Sequence, residues 1–395
     1  MKALRNYLNK IKPNFEEGGR FHALQSVFDG FETFLFVPNT TSASGVHIHD
    51  SIDSKRIMSI VVIALMPALL FGMYNVGYQH FKEEAIGPTA FAAIGFSEMF
   101  MYGFLTVLPK IIVSYIVGLG IEFVVAQWKK EEIQEGFLVS GILIPMILPV
   151  DCPLWIMAIA VAFAVIFAKE VFGGTGMNIF NVALVTRAFL FFAYPTKMSG
   201  DTVWVSGNSM LGLGSQIDGL TVATPLGEAA TSGSIPAFSM DMVYGLIPGS
   251  IGETSVIAIA MGAILLLWTG IASWKIMFSV FAGGAMMAYI FNITGLETPM
   301  AQMPWYEHLV LGGFCFGAVF MATDPVTSAR TESGKYIFGF MIGIMAIVIR
   351  VLNPGFPEGM MLAILLMNIF APFIDYCVLQ KNINRRKKRA MHSKN

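Results

Sequence analysis

The chain has 395 residues, of which 55% are apolar and only 13% charged, with a formal net charge of −1 and a mean hydropathy of +0.66. A soluble domain is roughly a quarter charged, so this composition excludes a water-soluble globular protein, and it offers no basic surface for nucleic acid. Cys152, Cys315 and Cys377 form no CxxC pair, which leaves no zinc or disulfide signature and reads each as a buried apolar thiol.

Residues 1–56 are polar and amphipathic and lack the short apolar core of a cleavable signal peptide. Phe15, Phe21, Leu24, Val27, Phe28, Phe31, Phe34 and Phe36 alternate there with Glu16, Glu17, Asp29 and Glu32. Such a segment is expected to lie on the membrane surface or on a partner protein, and it could also wall an opening for a lipid-soluble substrate. His47 and His49 make an isolated HxH; a structural metal site needs about four ligands, so no metal is expected.

Hydropathy then predicts ten spans, near 57–79, 104–127, 137–150, 153–169, 179–195, 254–272, 276–293, 307–322, 336–352 and 359–378. With that count, Lys55, Arg56, Lys129, Lys130, Lys169, Lys275, Arg330, Lys335 and the basic run 385–389 all fall on one side. From Met198 to Trp274 there is no Lys or Arg, whereas Asp201, Asp218, Glu228, Asp241 and Glu253 all occur. The positive-inside rule therefore makes both termini cytoplasmic and turns the loop at 196–253 outward.

The expected architecture is an all-α polytopic membrane protein of about ten helices in two inverted five-helix repeats, 57–195 and 254–378. A cytoplasmic segment (1–56) precedes them and a basic tail (379–395) follows. Inverted repeats are a transporter device. Two short apolar segments fit the symmetry, one ending in Val150-Asp151-Cys152-Pro153, the other in Thr323-Asp324-Pro325-Val326. Helix breaks of this kind expose carbonyls that can bind ions or cofactors; a loop-capping Asp is the alternative.

Of the charges that resist the pattern, Lys110 and Arg350 are expected near outer helix ends, where they would snorkel. Arg187 lies inside a span and should be paired or functional, as should Glu122; Asp375 sits at the inner end of the last span, and an interfacial carboxylate near Lys381 is an equal reading of it. The glycine pairs Gly313–Gly317 and Gly339–Gly343 suit close helix packing.

Two loops stand out. Lys169-Glu170-Val171-Phe172-Gly173-Gly174-Thr175-Gly176-Met177-Asn178-Ile179-Phe180-Asn181 places three glycines in four residues, which lets the backbone approach a planar or anionic group. Asn178 and Asn181 are spaced to share one face of the following helix, where their amides would bond a heterocycle edge; a glycine hinge with an Asn cap is the plainer reading. Asp218-Gly219-Leu220-Thr221-Val222-Ala223-Thr224-Pro225-Leu226 is, on physics alone, an ordinary turn.

The Gly-Gly-Thr-Gly-x-Asn-x-x-Asn run, the stretch 187–195 (RAFLFFAYP), the TVAT loop and the Thr-Asp-Pro-Val-Thr-Ser turn together resemble the B subunit of the sodium-translocating NADH:quinone reductase of bacteria, in family order and over essentially the whole chain. The shorter D subunit of the Rnf complex is similar but lacks the N-terminal segment. The resemblance implies an inner-membrane component of a multi-subunit redox pump with quinone and Na⁺ as partners. It implies FMN held as a phosphoester on Thr224, with Asp218 matching an upstream acid of the motif. The family often has Ser-Gly-Ala-Thr, so Thr221 and Val222 depart from it. It further implies noncovalent riboflavin near Gly173, Gly174, Thr175, Asn178, Asn181 and Asp324. Gly118 is implied at the quinone, and Glu122 and Asp375 on the ion path, where hard oxygen ligands would suit sodium as they suit calcium. No NADH fingerprint occurs, since Gly173–Gly176 is no GxGxxG following a strand. An Rnf-type protein and a non-redox permease are the alternatives.

Overall fold

The computed structural model describes residues 2–16, 19–21, 25–36, 44–46, 52–85, 91–129, 136–217, 219–231, 233, 235–353 and 355–392. Among them there is no strand beyond a single bridge between Met210 and Leu213. Among the described residues six helices are long and apolar enough to cross a bilayer: α3 (Ser54–Glu84), α4 (Phe96–Lys129), α6 (Leu154–Phe172), α10 (Trp274–Thr294), α13 (Glu332–Leu352) and α14 (Met360–His392). Three shorter apolar helices join them, α5 (Phe137–Met146), α7 (Val182–Ala193) and α9 (Val256–Trp268). Short helices α1 (Lys2–Ile11), α2 (Gln25–Leu35), α8 (Pro225–Thr231), α11 (Trp305–Val310) and α12 (Phe314–Phe316) complete the set used below.

A helix apolar on every side belongs in lipid or in a large core. Here both conditions hold along single helices. Ile116 and Val124 on α4, Ile264 on α9 and Phe278 on α10 are all more than half exposed, while the opposite faces of the same helices are buried. The chain is thus an all-α polytopic membrane protein, and its outer surface is apolar because lipid is the surrounding solvent.

Small residues let backbones meet. A Cβ on Gly343 of α13 would overlap the Val280 carbonyl oxygen of α10, and one on Gly283 would overlap the Phe340 oxygen. The α3–α4 pair uses the same device, with Gly103 facing the Met73 carbonyl and Gly77 that of Met99. Gly339 and Gly343 therefore pack as expected. Gly313 does not, because it faces the Glu253 carboxylate rather than a helix backbone.

Near the N-terminus, Phe15 stacks on the buried Phe28 with centroids 4.7 Å apart, and Lys12 pairs with Glu32 at 2.7 Å. That hydrogen bond holds the Lys12 ammonium above its ordinary range. Helix α2 packs on α4. His47, His49 and Asp218 lie outside the described residues.

Several expectations need correction. The third span stops at Met146, where Pro145 occupies the last turn, rather than at 150. The fifth begins at Val182 rather than 179, because Asn181 caps it. The segment expected at 307–322 is two pieces, α11 and α12, divided by Gly312 and Gly313 at φ +65° and +66°. Lys110 and Arg350 do not snorkel: they are 5% and 0% exposed. Lys110 Nζ donates to the Val150 carbonyl at 2.7 Å. Arg350 donates to the carbonyls of His308, Leu311 and Glu358. Helix breaks supply those acceptors, and solvent is not needed to satisfy the cations. Lys169, one of the cations placed on the inner side, is buried, and Cys377 is exposed rather than buried.

Candidate functional site

Helix α6 does not end as a regular helix. Over Val165–Lys169 it widens into a π turn, then tightens through Glu170–Phe172 into the glycine loop. Gly173, Gly174 and Gly176 all have left-handed φ, +113°, +91° and +88°, a conformation side chains rarely adopt. The loop folds back on the helix end, with the Gly174 N–H donating to the Lys169 carbonyl at 3.0 Å. Thr175 packs on Gly136, where a Cβ would come within 2.6 Å of its methyl group.

Asn181 is the N-cap of α7. Its Oδ1 accepts the N–H groups of Ala183 and Leu184 at 3.0 and 3.3 Å, while its Nδ2 donates to Asp324 Oδ2 at 3.1 Å. Asn178 lies in the preceding turn and donates to the Phe180 carbonyl at 2.9 Å. The two asparagines therefore do not share a helix face. They flank the entrance of α7, and both line one cleft.

Asp324 arrives at that cleft from the far half of the sequence by a similar route. Helix α12 widens over Gly317–Met321, with the Ala322 N–H bonding the Gly317 carbonyl at 2.8 Å. The chain then turns, and Asp324 accepts bonds from the Val326 N–H and the Thr327 hydroxyl as well as from Asn181. The result is an open cleft, lined by Lys169, Thr175, Asn178, Asn181 and Asp324 together with Phe320 and Leu143.

Lys169 makes a buried ion pair with Glu122 of α4, each side chain being 5% exposed. Glu122 stands behind the cleft wall and Lys169 forms part of it. Gly118, one turn before Glu122, does not line the cleft; a Cβ there would overlap the Phe137 ring. Asp375 lies apart from these groups. It accepts the Arg330 and Thr331 N–H groups and the Thr331 hydroxyl, and so fastens α14 to the start of α13.

Thr224 lies at the opposite end of the helices. Thr254 borders its pocket and Leu266 borders the Asn181 cleft; with α9 between them, the two are about 18 Å apart at 1.5 Å per residue. Thr224 Oγ1 accepts the Gly227 N–H at 3.0 Å, and its carbonyl accepts the Glu228 N–H, so it caps α8. The Val222 N–H donates to the Asp201 carbonyl at 2.7 Å and pins the loop.

The pocket beside Thr224 is floored by a charge network. Arg187 pairs with Glu253 at 3.2 Å and with Glu358, and donates to Ser250 Oγ and the Ile147 carbonyl. Burial pushes the Glu253 carboxyl above its ordinary range, with Arg187 opposing the shift. The sequence marks Arg187 as requiring an acid, but it contains many acids, and nothing in the spacing selects Glu253 and Glu358. At the other break on this end, burial raises the Asp151 carboxyl against the opposing charges of Lys197 and Lys110. Among the described residues no His, Cys, Asp and Glu cluster could hold a metal ion.

Residues 41–384 match the NQR2, RnfD, RnfE family. Similar chains include the B subunit of the Na(+)-translocating NADH-quinone reductase of Chromohalobacter salexigens, 45% identical over 98% of this chain and 96% of that one. The protein of the same name from Pseudomonas aeruginosa is 45% identical over 97% of this chain and 98% of its own. That from Pseudoalteromonas atlantica is 43% identical over 98% and 99%. On a family match across this span, with near-full-length relatives of this identity, the chain belongs to the NQR2, RnfD, RnfE family.

Proposed function

We propose that this chain is the membrane-embedded B subunit of a bacterial Na⁺-translocating NADH:quinone reductase. The observation that carries the reading is 45% identity across 98% of the chain to a protein of that name. On this reading the ten passes form two inverted sets of five, 57–195 and 254–378, in the inner membrane. Both termini are cytoplasmic and the Thr224 loop faces outward.

Thr224 would hold FMN through its phosphate, and the cleft of Asn178, Asn181 and Asp324 would hold riboflavin. Flavins supply the capacity to accept electrons singly or in pairs. The residues present suit both groups. A hydroxyl is the acceptor a phosphoester requires, and Thr224 presents one whose oxygen alone is engaged by the helix. In the cleft, Asn181 keeps one amide hydrogen beyond its bond to Asp324, and Thr175 lines the wall, although Gly173, Gly174 and Gly176 of the same loop do not. Glu122 and Asp375 would serve the Na⁺ path, and quinone would react near the cytoplasmic face. NADH oxidation would belong to partner proteins of the complex.

The test is flavin fluorescence in a denaturing gel, from cells that express the cognate flavin transferase. A fluorescent wild-type band that disappears in Thr224→Ala and persists in Thr224→Ser supports the reading; a dark wild-type band refutes it. The Rnf-type D subunit shares the family, so the purified complex should be assayed for both activities. NADH:quinone reduction without ferredoxin:NAD reduction separates the two.

A further inference from the structure

Lys169 lines the Asn181 cleft and pairs with Glu122, yet the proposed function gives it no role. Among the described residues lining the Asn181 cleft, it and Asp324 are the only charged groups, so it is the one cation a bound molecule there would meet. It is 4% exposed and sits at the last position of the π turn Val165–Lys169. Its ammonium is not free to wander, because Glu122 of α4 grips it from behind the wall.

The arrangement is unusual for a purely structural ion pair. Two buried charges gain little over apolar residues of the same volume, and a helix whose only task was to span lipid would need neither. A π turn, too, is a departure often found at functional sites. Here it delivers Lys169 to the cleft wall, next to the loop through the bond from Gly174 N–H to the Lys169 carbonyl.

We propose that Lys169 is a positioning cation for the ligand of this cleft: it favours the electron-rich, anionic form of a bound isoalloxazine over the neutral one, and Glu122 sets how strongly it does so. This rests on the riboflavin reading of the cleft. The physics is a through-space attraction in a partly desolvated site, where one unit charge near another outweighs its effect in water. Glu122 shares the ammonium, so it competes with the ligand. Any cation bound at Glu122 would weaken its hold on Lys169 and strengthen the ligand's, which would couple cation binding at α4 to reduction in the cleft.

The experiment uses the purified wild-type complex and four variants: Lys169→Gln, Lys169→Arg, Glu122→Gln, and Lys169→Gln with Glu122→Gln. Releasable riboflavin is quantified after denaturation, and the one-electron midpoint of the cleft flavin is measured by titration with dithionite, which supplies the electron. Lys169→Gln should weaken the preference for the reduced form by at least about tenfold, a downward shift of about 59 mV for a one-electron couple. Lys169→Arg should keep the wild-type midpoint to within a factor of about three.

Glu122→Gln should move the midpoint upward, because Lys169 is released to the ligand. The double variant guards against misfolding, since it removes both charges and leaves no buried carboxylate unpaired. If the pair only braces the fold, the double variant recovers the wild-type midpoint, and the proposal is overturned. If Lys169 acts on the ligand, the double variant recovers assembly and riboflavin content yet keeps the lowered midpoint. A wild-type complex with no releasable riboflavin overturns the cofactor reading itself, a result distinct from the other two.

Discussion

Replacing Arg187 with Met should strongly destabilise the protein at the Thr224 end. The guanidinium is 4% exposed and pairs with Glu253, itself 5% exposed, and with Glu358 at 15%. It also satisfies the Ile147 carbonyl and the Ser250 hydroxyl. Removing one partner of a buried pair leaves the other charge uncompensated, at about 3–5 kcal/mol. For a chain of this length, scaling from smaller domains, that corresponds to a melting temperature lower by roughly 3–10 °C.

The pH dependence follows from the sign of the Glu253 shift. Its folded-state carboxyl is raised by burial, and loss of Arg187 removes the group opposing that rise. A carboxyl raised on folding binds its proton more tightly when folded, so the associated stability is present in acid and lost as pH climbs through the folded value. The melting deficit of Arg187→Met should therefore be smaller in mild acid than in mild base. Adding Glu253→Gln should recover part of it, and the coupling is read from the double-mutant cycle. Thermal unfolding in detergent, followed by tryptophan fluorescence on both sides of neutrality, is the assay. An Arg187→Met protein that melts with wild type under both conditions would refute the reasoning.

Other substitutions probe the remaining contacts. Asn181→Ala should lose the α7 cap, about 1 kcal/mol, and leave the Asp324 carboxylate with only its Val326 and Thr327 partners; noncovalent flavin should fall out of proportion to the modest loss in melting temperature. Gly343→Leu should block the α10–α13 approach, because even a Cβ overlaps the Val280 carbonyl; the yield of monodisperse protein should drop several-fold, whereas Met341→Leu on the same helix should be silent. Gly118→Val should lower thermal stability by displacing the Phe137 ring, with Gly118→Val/Phe137→Ala recovering part of it. No recovery in that pair would mean that Gly118 acts otherwise than through packing.

Much of the fold is legible in the sequence because lipid imposes a coarse and strict code. Long apolar runs and the neighbouring cations locate α3, α4, α6, α10, α13 and α14 to within a few residues over most of their ends. The code weakens where helices are short. The division of 307–322 depends on two glycines adopting left-handed backbone, and Gly-Gly in an apolar run is equally compatible with close packing. Lys110 and Arg350 escape it because hydropathy treats a cation as needing water, when a carbonyl exposed at a helix break serves as well. The juxtaposition of Asn181 with Asp324 spans 143 residues, and local spacing carries no information at that range. The spacing of Asn178 and Asn181 suggests one helix face only if the helix starts before both, and the cap at 181 puts its start after them. Glu122 stands out as a charge inside a span and Lys169 reads as one of the inner-side cations, but only packing makes them a pair.

The two π turns also carry a consequence for how this protein tolerates change in length. A π turn is an α-helix with one residue too many, and each of the two ends at or just before residues that line the Asn181 cleft. Deleting any one residue within 165–168 would restore a regular helix and rotate everything beyond it by about 100°, taking the Lys169 side chain off the cleft wall without altering a single amino acid that touches it. In this stretch the number of residues is itself part of the site, and a one-residue gap in an alignment would be a functional substitution.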